Sequence, residues 1–314
     1  MKTKTFIQMT KAPLQELSSI IENSTQFFLE NPIGRLYGLA RSVIASGLLF
    51  TLIFSQTDYL FDKDLFALHP SAGWTDDINY FKLFGFENLV FAKMLAIALL
   101  GFIVIGFLPR VTGLLHWWLA FSFNNAASIV DGGDQVAAVL ALLILPVTLL
   151  DGRTNHFSKP LDIQTYSRIV SNVFLRVLIP LQMSFIYFHA AIEKLYKVEE
   201  WRNGTAVYYF AQDPIFGASF MSELSGTYLV LLMTWGTIAL EIILGAALFM
   251  VYRHKSLLLL LGIGFHLSIS MSFGLFSFMC SMVGGLFIYL LNPAKQYFDE
   301  GDRIKIQNEE LIHG

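Results

Sequence analysis

The sequence predicts an all-α protein: a polytopic transmembrane helix bundle of about eight spans with both termini cytoplasmic. Three observations predict it. Hydrophobic residues make up 55% of the 314 residues and charged residues 14%, against about 25% charge in soluble domains. The apolar runs are continuous over roughly 20 residues, as a spanning helix needs, and do not alternate as barrel strands do. Every segment that this count places inside carries a Lys or Arg, as inner loops do. The composition also excludes other classes. With 29 Phe the chain is too aromatic for a disordered one. A formal net charge of -3 implies no polybasic surface for nucleic acid. The single cysteine, Cys280, rules out an intramolecular disulfide, a CxxC pair and a Cys-based zinc site.

Residues 1–30 read as a cytoplasmic or interfacial segment. Glu16, Glu22 and Glu30 leave no room for the apolar stretch of a signal peptide. Leu14, Leu17, Ile20 and Ile21 recur at helical spacing, which suits a helix lying along the inner surface or packed on the bundle. The membrane domain is expected over 31–292, with spans at 36–55, 89–108, 112–130, 135–150, 169–193, 227–251, 256–272 and 275–291. The third and fourth are the weakest, being short or polar. The last two meet at Phe273-Gly274 and read equally as two spans or as a broken or re-entrant pair. Residues 293–314 form a cytoplasmic tail.

Charge follows this count. Arg35, Arg110, Arg153, Lys159, Arg168, Arg253, Lys255 and Lys295 fall in inner segments, and the outer ones hold Lys63, Lys82, Lys194, Lys197 and Arg202. The outer loops 56–88 and 194–226 are long, and long loops often carry function. The second follows the most polar span and holds Trp201, Gly204, Tyr208, Tyr209 and Asp213-Pro214. Gly132-Gly133, between Asp131 and Asp134, reads as a tight outer turn. No internal repeat signals a transporter.

An ionisable group in hydrocarbon needs a partner or a task. The candidates are Arg41, Lys93, His116, Arg176, Glu241 and His266, together with span five. On that span Gln182, His189 and Glu193 fall within about 40° of one another, while Tyr187 and Lys194 form a second line roughly 130° away. Two polar lines predict a helix inside the bundle, lining a cavity that opens outward. Glu241, with Thr237 one turn earlier, either pairs with a cation such as Arg41 or stays protonated. It then serves as a register-setting ion pair or as a proton carrier or substrate contact. His266, with Ser270 one turn away, reads first as a packing residue. His189 and Glu193 at i,i+4 are half a metal site with no HExxH to complete it, so no metal is expected. Lys194 in an apolar, outward-facing pocket becomes a usable base; the alternative is a lysine that snorkels to the interface. Soluble-enzyme motifs such as GxSxG, a P-loop or GxGxxG are lacking.

The run Lys194-Leu195, Glu200-Trp201, Gly204 and Tyr208-Tyr209 resembles the signature of the HTTM family, membrane domains similar to the vitamin K-dependent gamma-carboxylase. Arg41 with Gly47, Pro109-Arg110, Trp117-Trp118, Asn124-Asn125, and Phe265-His266 followed by Phe273, Gly274 and Phe276 agree in order. Within the family, Asn31-Pro32 and Tyr37-Gly38-Leu39-Ala40-Arg41 look most like the bacterial sporulation-delaying-toxin maturation protein B group. The resemblance implies a multi-pass protein of the bacterial cytoplasmic membrane required to produce a secreted antimicrobial peptide. Its implied partners are a toxin precursor, a small companion maturation protein and membrane lipids. It implies Lys194 as catalytic base; the polar groups of the spans and the outer loop then supply His189 and Glu193 as further candidate catalytic residues and Arg41, Gln182, Tyr187, Trp201, Glu241 and His266 as candidate substrate contacts. A quinone or quinol is the implied cofactor. The carboxylase has a histidine after its paired Asn where this chain has Ala126, and no counterpart of its lumenal β-rich region is expected. These departures point away from glutamate carboxylation but leave a quinol-linked reaction open, because a helix-lined pocket with a buried base suits a lipid-soluble quinone. A non-catalytic scaffold, chaperone or immunity protein for the precursor is the alternative.

Overall fold

In an apolar surrounding a backbone must satisfy its own polar groups, so each apolar run becomes a helix. The computed structural model describes residue 22 and residues 25–68, 73–212, 223 and 227–295. Leu14, Leu17, Ile20, Ile21, Asp213-Pro214 and most of the expected tail lie outside these. Eight long helices coincide with the eight expected spans. They are α1 (Arg35–Phe54), α2 (Leu89–Val104), α3 (Pro109–Ala126), α4 (Gly132–Leu150), α5 (Thr165–Lys197), α6 (Tyr228–Ala246), α7 (Tyr252–Phe273) and α8 (Phe276–Leu290). Among the described residues there is no strand beyond one isolated bridge between Phe107 and Asn155. Six of the eight are long and apolar enough to cross a membrane. The other two are α3, with Thr112, His116, Asn124 and Asn125 along it, and α8, with only 15 residues.

Local chemistry sets the ends. Pro109 opens α3, where its missing N–H costs nothing. Gly132-Gly133 is not a turn, as its sequence suggested, but the first turn of α4. Asp131 accepts from the Asp134 amide at 2.9 Å, and Asp134 accepts from the Asp131 amide at 3.1 Å, a reciprocal cap. Gly274, at φ 70, ends α7 in the left-handed region. The junction at 273–274 therefore separates two complete helices, which pack on each other.

The axis of the bundle is the contact between α1 and α8. It is close because its residues are small. A Cβ on Gly47 would sit 3.0 Å from the Ser277 carbonyl, and one on Gly284 would sit 2.8 Å from the Ala40 carbonyl. Around this axis Tyr37, Ile44, Leu140, Ile144, Leu175, Met183, Leu286 and Tyr289 form one core. A second core joins Leu48 and Leu52 of α1 to Ala92, Ala96 and Leu100 of α2 and to Leu119 and Phe123 of α3. The first long connection folds back onto this core through Phe61, Tyr80 and Phe81. Asn79 anchors it, capping the helix Tyr80–Phe84 while donating to the Ser122 carbonyl at 2.9 Å.

α5 carries a π-helical segment, Val173–Leu178. Its 33 residues span about 50 Å, well beyond the roughly 30 Å of a bilayer's hydrocarbon. Its beginning is strapped to residues 27–30. Asn172 donates to the Phe28 and Glu30 carbonyls, and Arg168 donates to the Leu29 carbonyl. Arg176 bonds the Glu30 carboxylate at 2.6 Å and lies 3.4 Å from the Phe27 ring centroid.

The tightest contact between a glycine and another segment's backbone is testable. A Cβ on Gly133 would overlap the Phe278 backbone, which cannot swing away as a side chain can. Gly133→Ala should destabilise the protein by about 1–3 kcal/mol, the usual cost of overpacking. Thermal unfolding in detergent would register this as a lowered midpoint, while Gly236→Ala, whose added Cβ meets open space, should leave it in place.

Candidate functional site

Two polar clusters occupy opposite ends of the bundle. The first lies where the 198–227 connection leaves α5 and returns to α6. Lys194, near the end of α5, donates to Glu241 Oε1 of α6 at 2.7 Å. The carboxylate is buried and the lysine side chain is 21% exposed. The ammonium lies 5.2 Å from the Trp201 ring centroid, so an aromatic face covers it from the connection. Two helical turns deeper on α5, the Tyr187 hydroxyl meets His266 Nε2 of α7 at 2.8 Å. Both residues are buried. Glu241 Oε2 and His266 Nδ1 are buried without a hydrogen-bond partner. Native interiors seldom leave such atoms unpaired, so these two mark the place where a polar group of a ligand would bond.

Gly204 shapes the cover. It adopts φ +82, and a Cβ there would run into Leu231 and stand 3.2 Å from Trp235 Nε1. This left-handed residue turns the chain after Trp201 down onto α6, and Thr205 N–H closes the turn on the Glu200 carbonyl at 2.8 Å. Beside it runs a groove of about 390 Å³, lined by Asn203, Gly204, Thr205, Tyr208, Tyr228 and Leu231.

The sequence-expected residues divide. Lys194, Glu241, Trp201, Tyr187 and His266 converge. His189 and Glu193 do not join them: His189 is exposed, and Glu193 pairs with Lys197 and lies 3.7 Å from His189. Gln182 stays half-buried, short of the cluster. The physical reason is that α5 turns only its Tyr187–Lys194 line inward. The opposite line lies with exposed Phe185 and Ile192, so α5 is a peripheral helix rather than an enclosed one. Thr237 bonds the Met233 carbonyl on its own helix, not Glu241. Lys93 caps the end of α1, donating to the Ser55 carbonyl at 2.5 Å.

Arg41 is not the partner of Glu241. It belongs to the second cluster, at the end that carries the 151–164 connection. Arg41 is fully buried and donates to Thr112 Oγ1 at 2.8 Å and to His156 Nδ1 at 3.3 Å. His156 Nε2 is 3.1 Å from Ser42 Oγ, which donates to the Val104 carbonyl at 2.6 Å. These directions define a neutral imidazole with its proton on Nε2. Burial first, then the Arg41 and Arg153 charges, lower the His156 pKa to about 3. Next to it Asp151 receives Arg153 in a bidentate pair, both bonds 2.8 Å, and accepts from the Tyr37 hydroxyl at 2.7 Å. Glycines make room for the histidine: a Cβ on Gly38 would lie 2.9 Å from its ring, and one on Gly106 would overlap it. Sequence reasoning passed over Asp151, Arg153 and His156 because they sit in a short polar connection. The available signal was Arg41 itself, a span arginine that demanded partners.

These features describe a multi-helix membrane protein with a polar site under one end. The HTTM domain matches residues 141–290, which include Lys194, Trp201, Glu241 and His266. The chain is 36% identical over 284 residues to Sporulation-delaying protein SdpB of Bacillus subtilis (strain 168), covering 88% of this chain and 87% of that protein. It is 35% identical over 284 residues to Uncharacterized protein YitO of the same organism, covering 87% and 91%. No solved structure matches. The chain therefore belongs to the HTTM family of membrane proteins. Within that family its place is in the group of the sporulation-delaying protein SdpB.

The His156 titration gives a pH test. The folded pKa lies far below the ordinary 6.5, so the unfolded chain binds the proton more readily. Stability from this group is complete above pH 6.5 and drains away as pH falls from there toward 3. The wild type should lose thermal stability across that window, and His156→Gln should lose less over the same range. Parallel pH profiles for the two proteins would contradict the neutral, buried assignment.

Proposed function

We propose that this chain crosses the bacterial cytoplasmic membrane eight times with both termini inside, and that it serves the maturation of a secreted antimicrobial peptide toxin. Charge supports the orientation. At the 151–164 end the carboxylates Glu30, Asp151 and Asp162 each pair with an arginine, while Arg110 and Lys159 stand exposed. Basic surplus marks the inner side. On α5 the ionic groups Arg176 and Lys194 are about 27 Å apart along the helix, close to the thickness of the hydrocarbon. Lys194 then lies just beneath the outer rim.

The observation that carries the catalytic reading is the Lys194–Glu241 pair under Trp201. A carboxylate at 2.7 Å can take the lysine proton without changing the net charge of the pair. The amine that remains is a base held away from bulk water. His266 Nδ1 and Glu241 Oε2 orient the group that approaches, and Tyr187 holds the imidazole from behind. These atoms suit the hydroxyl of a quinol, which would bond Lys194, Glu241 and His266 and, when bound, supplies reducing electrons. The toxin precursor and a small companion protein are the proposed partners, reaching the site from outside.

Lys194→Ala should cut product formation by about 10²–10⁴, the usual contribution of a positioned base, while protein level stays normal. Intact mass of the secreted peptide, from cells with and without the protein, reads the bond that changes. Full product from the variant removes the catalytic reading. The groove beside Gly204 favours a second reading, a scaffold that presents the precursor. In that case Lys194→Ala is tolerated, and Tyr208→Ala in the groove wall breaks copurification with the peptide.

A further inference from the structure

The start of α7 is built against electrostatics. A helix N-terminus carries partial positive charge and favours acidic residues. The first turn of α7 holds no acid, and Val251 gives it no side-chain cap. Instead Arg253, His254 and Lys255 follow one another there. Lys255 is the anomaly among them. It is 5% exposed, yet its ammonium has no ion pair or hydrogen bond among the described residues. It lies 4.8 Å from the Tyr252 ring centroid and 5.4 Å from that of Tyr289, directed back over the first residue of its own helix. The Tyr289 hydroxyl does not answer it, being bonded to the Leu244 and Gly245 carbonyls. A buried cation without an anion, at an uncapped positive helix end, is a costly arrangement that a bound anion would relieve.

We propose that this place binds the phosphate of an anionic phospholipid, in the leaflet at the 151–164 end of the bundle. The anion would bond the Lys255 ammonium at the start of α7, with His254 at the edge. The surroundings identify a lipid rather than a free ion. From this point α7 presents Leu257, Leu260 and Leu261, 64%, 67% and 46% exposed, and the preceding turn presents Phe249 and Val251 at 83% and 64%. A ligand with a phosphate at the helix start and acyl chains along that stripe matches both halves. Basic pockets between helices at the membrane surface bind acidic headgroups in this way.

The test uses the full chain in uncharged detergent. Thermal unfolding is followed as phosphatidylglycerol, phosphatidylcholine or inorganic phosphate is added. Phosphatidylglycerol should raise the midpoint, and phosphatidylcholine should not. Lys255→Met should weaken the apparent affinity for phosphatidylglycerol about five- to tenfold, and Lys255→Arg should restore most of it. Equal effects of the two lipids on the wild type, or undiminished affinity in Lys255→Met, would overturn the assignment. Equal protection by inorganic phosphate alone would overturn the lipid part of it. Should Lys255→Met fail to fold, the wild-type comparison of the three ligands still decides.

Discussion

A charge removed from water must be met by a fixed group, and this constraint organises the molecule. Five cations within the bundle each have their own solution. Arg41 uses a neutral imidazole and a threonine hydroxyl, Arg153 a bidentate carboxylate, Arg176 the Glu30 side chain, and Lys93 the last turn of α1. Lys194 uses Glu241. All but the local Arg153–Asp151 pair join residues distant in sequence, so meeting the charges also sets how the helices stand.

The two clusters differ in kind. The Arg41–His156 cluster is more nearly closed: glycines at 38 and 106 admit the ring, and serine, threonine and tyrosine hydroxyls answer most of its polar atoms, leaving Arg41 Nε unpartnered. Its geometry ties α1, the α2–α3 turn and the 151–164 connection together, which is a structural role. The Lys194–Glu241 cluster is incomplete. It leaves Glu241 Oε2 and His266 Nδ1 without partners, keeps the lysine partly exposed, and is covered by a connection whose turn is made by a left-handed glycine. Stability is better served by the first arrangement and chemistry by the second, because reacting groups must exchange partners.

Much of the architecture was legible. Continuous apolar runs predicted the eight helices to within a few residues, and Lys194, Trp201, Tyr187, Glu241 and His266 were selected because polar groups in such runs demand a reason. The misreadings have separate physical causes. Two polar lines on α5 suggest a helix enclosed by the bundle with both lines on one pocket, but periodicity does not tell which line meets the bundle, and the His189–Glu193 line faces outward. Arg41 and Glu241 were natural partners by charge alone, and only the placement of α1 and α6 puts them at opposite ends. Gly132-Gly133 looked like a turn because glycine pairs usually are one; the reciprocal Asp131–Asp134 cap converts it to a helix start.

By itself the sequence determined that this is a helical membrane protein, where its helices lie, and which ionisable side chains need an explanation. Those properties follow from hydropathy and backbone satisfaction, which act locally along the chain. The tertiary structure decided which charge meets which: Lys194 with Glu241, Arg41 with His156, and Lys255 with two tyrosine rings but no anion among the described residues. Pairing depends on distances of a few ångströms between segments remote in sequence, and small residues at those contacts allow them: Gly245 of α6 lies against Phe188 of α5, and Gly38 and Gly106 lie against His156.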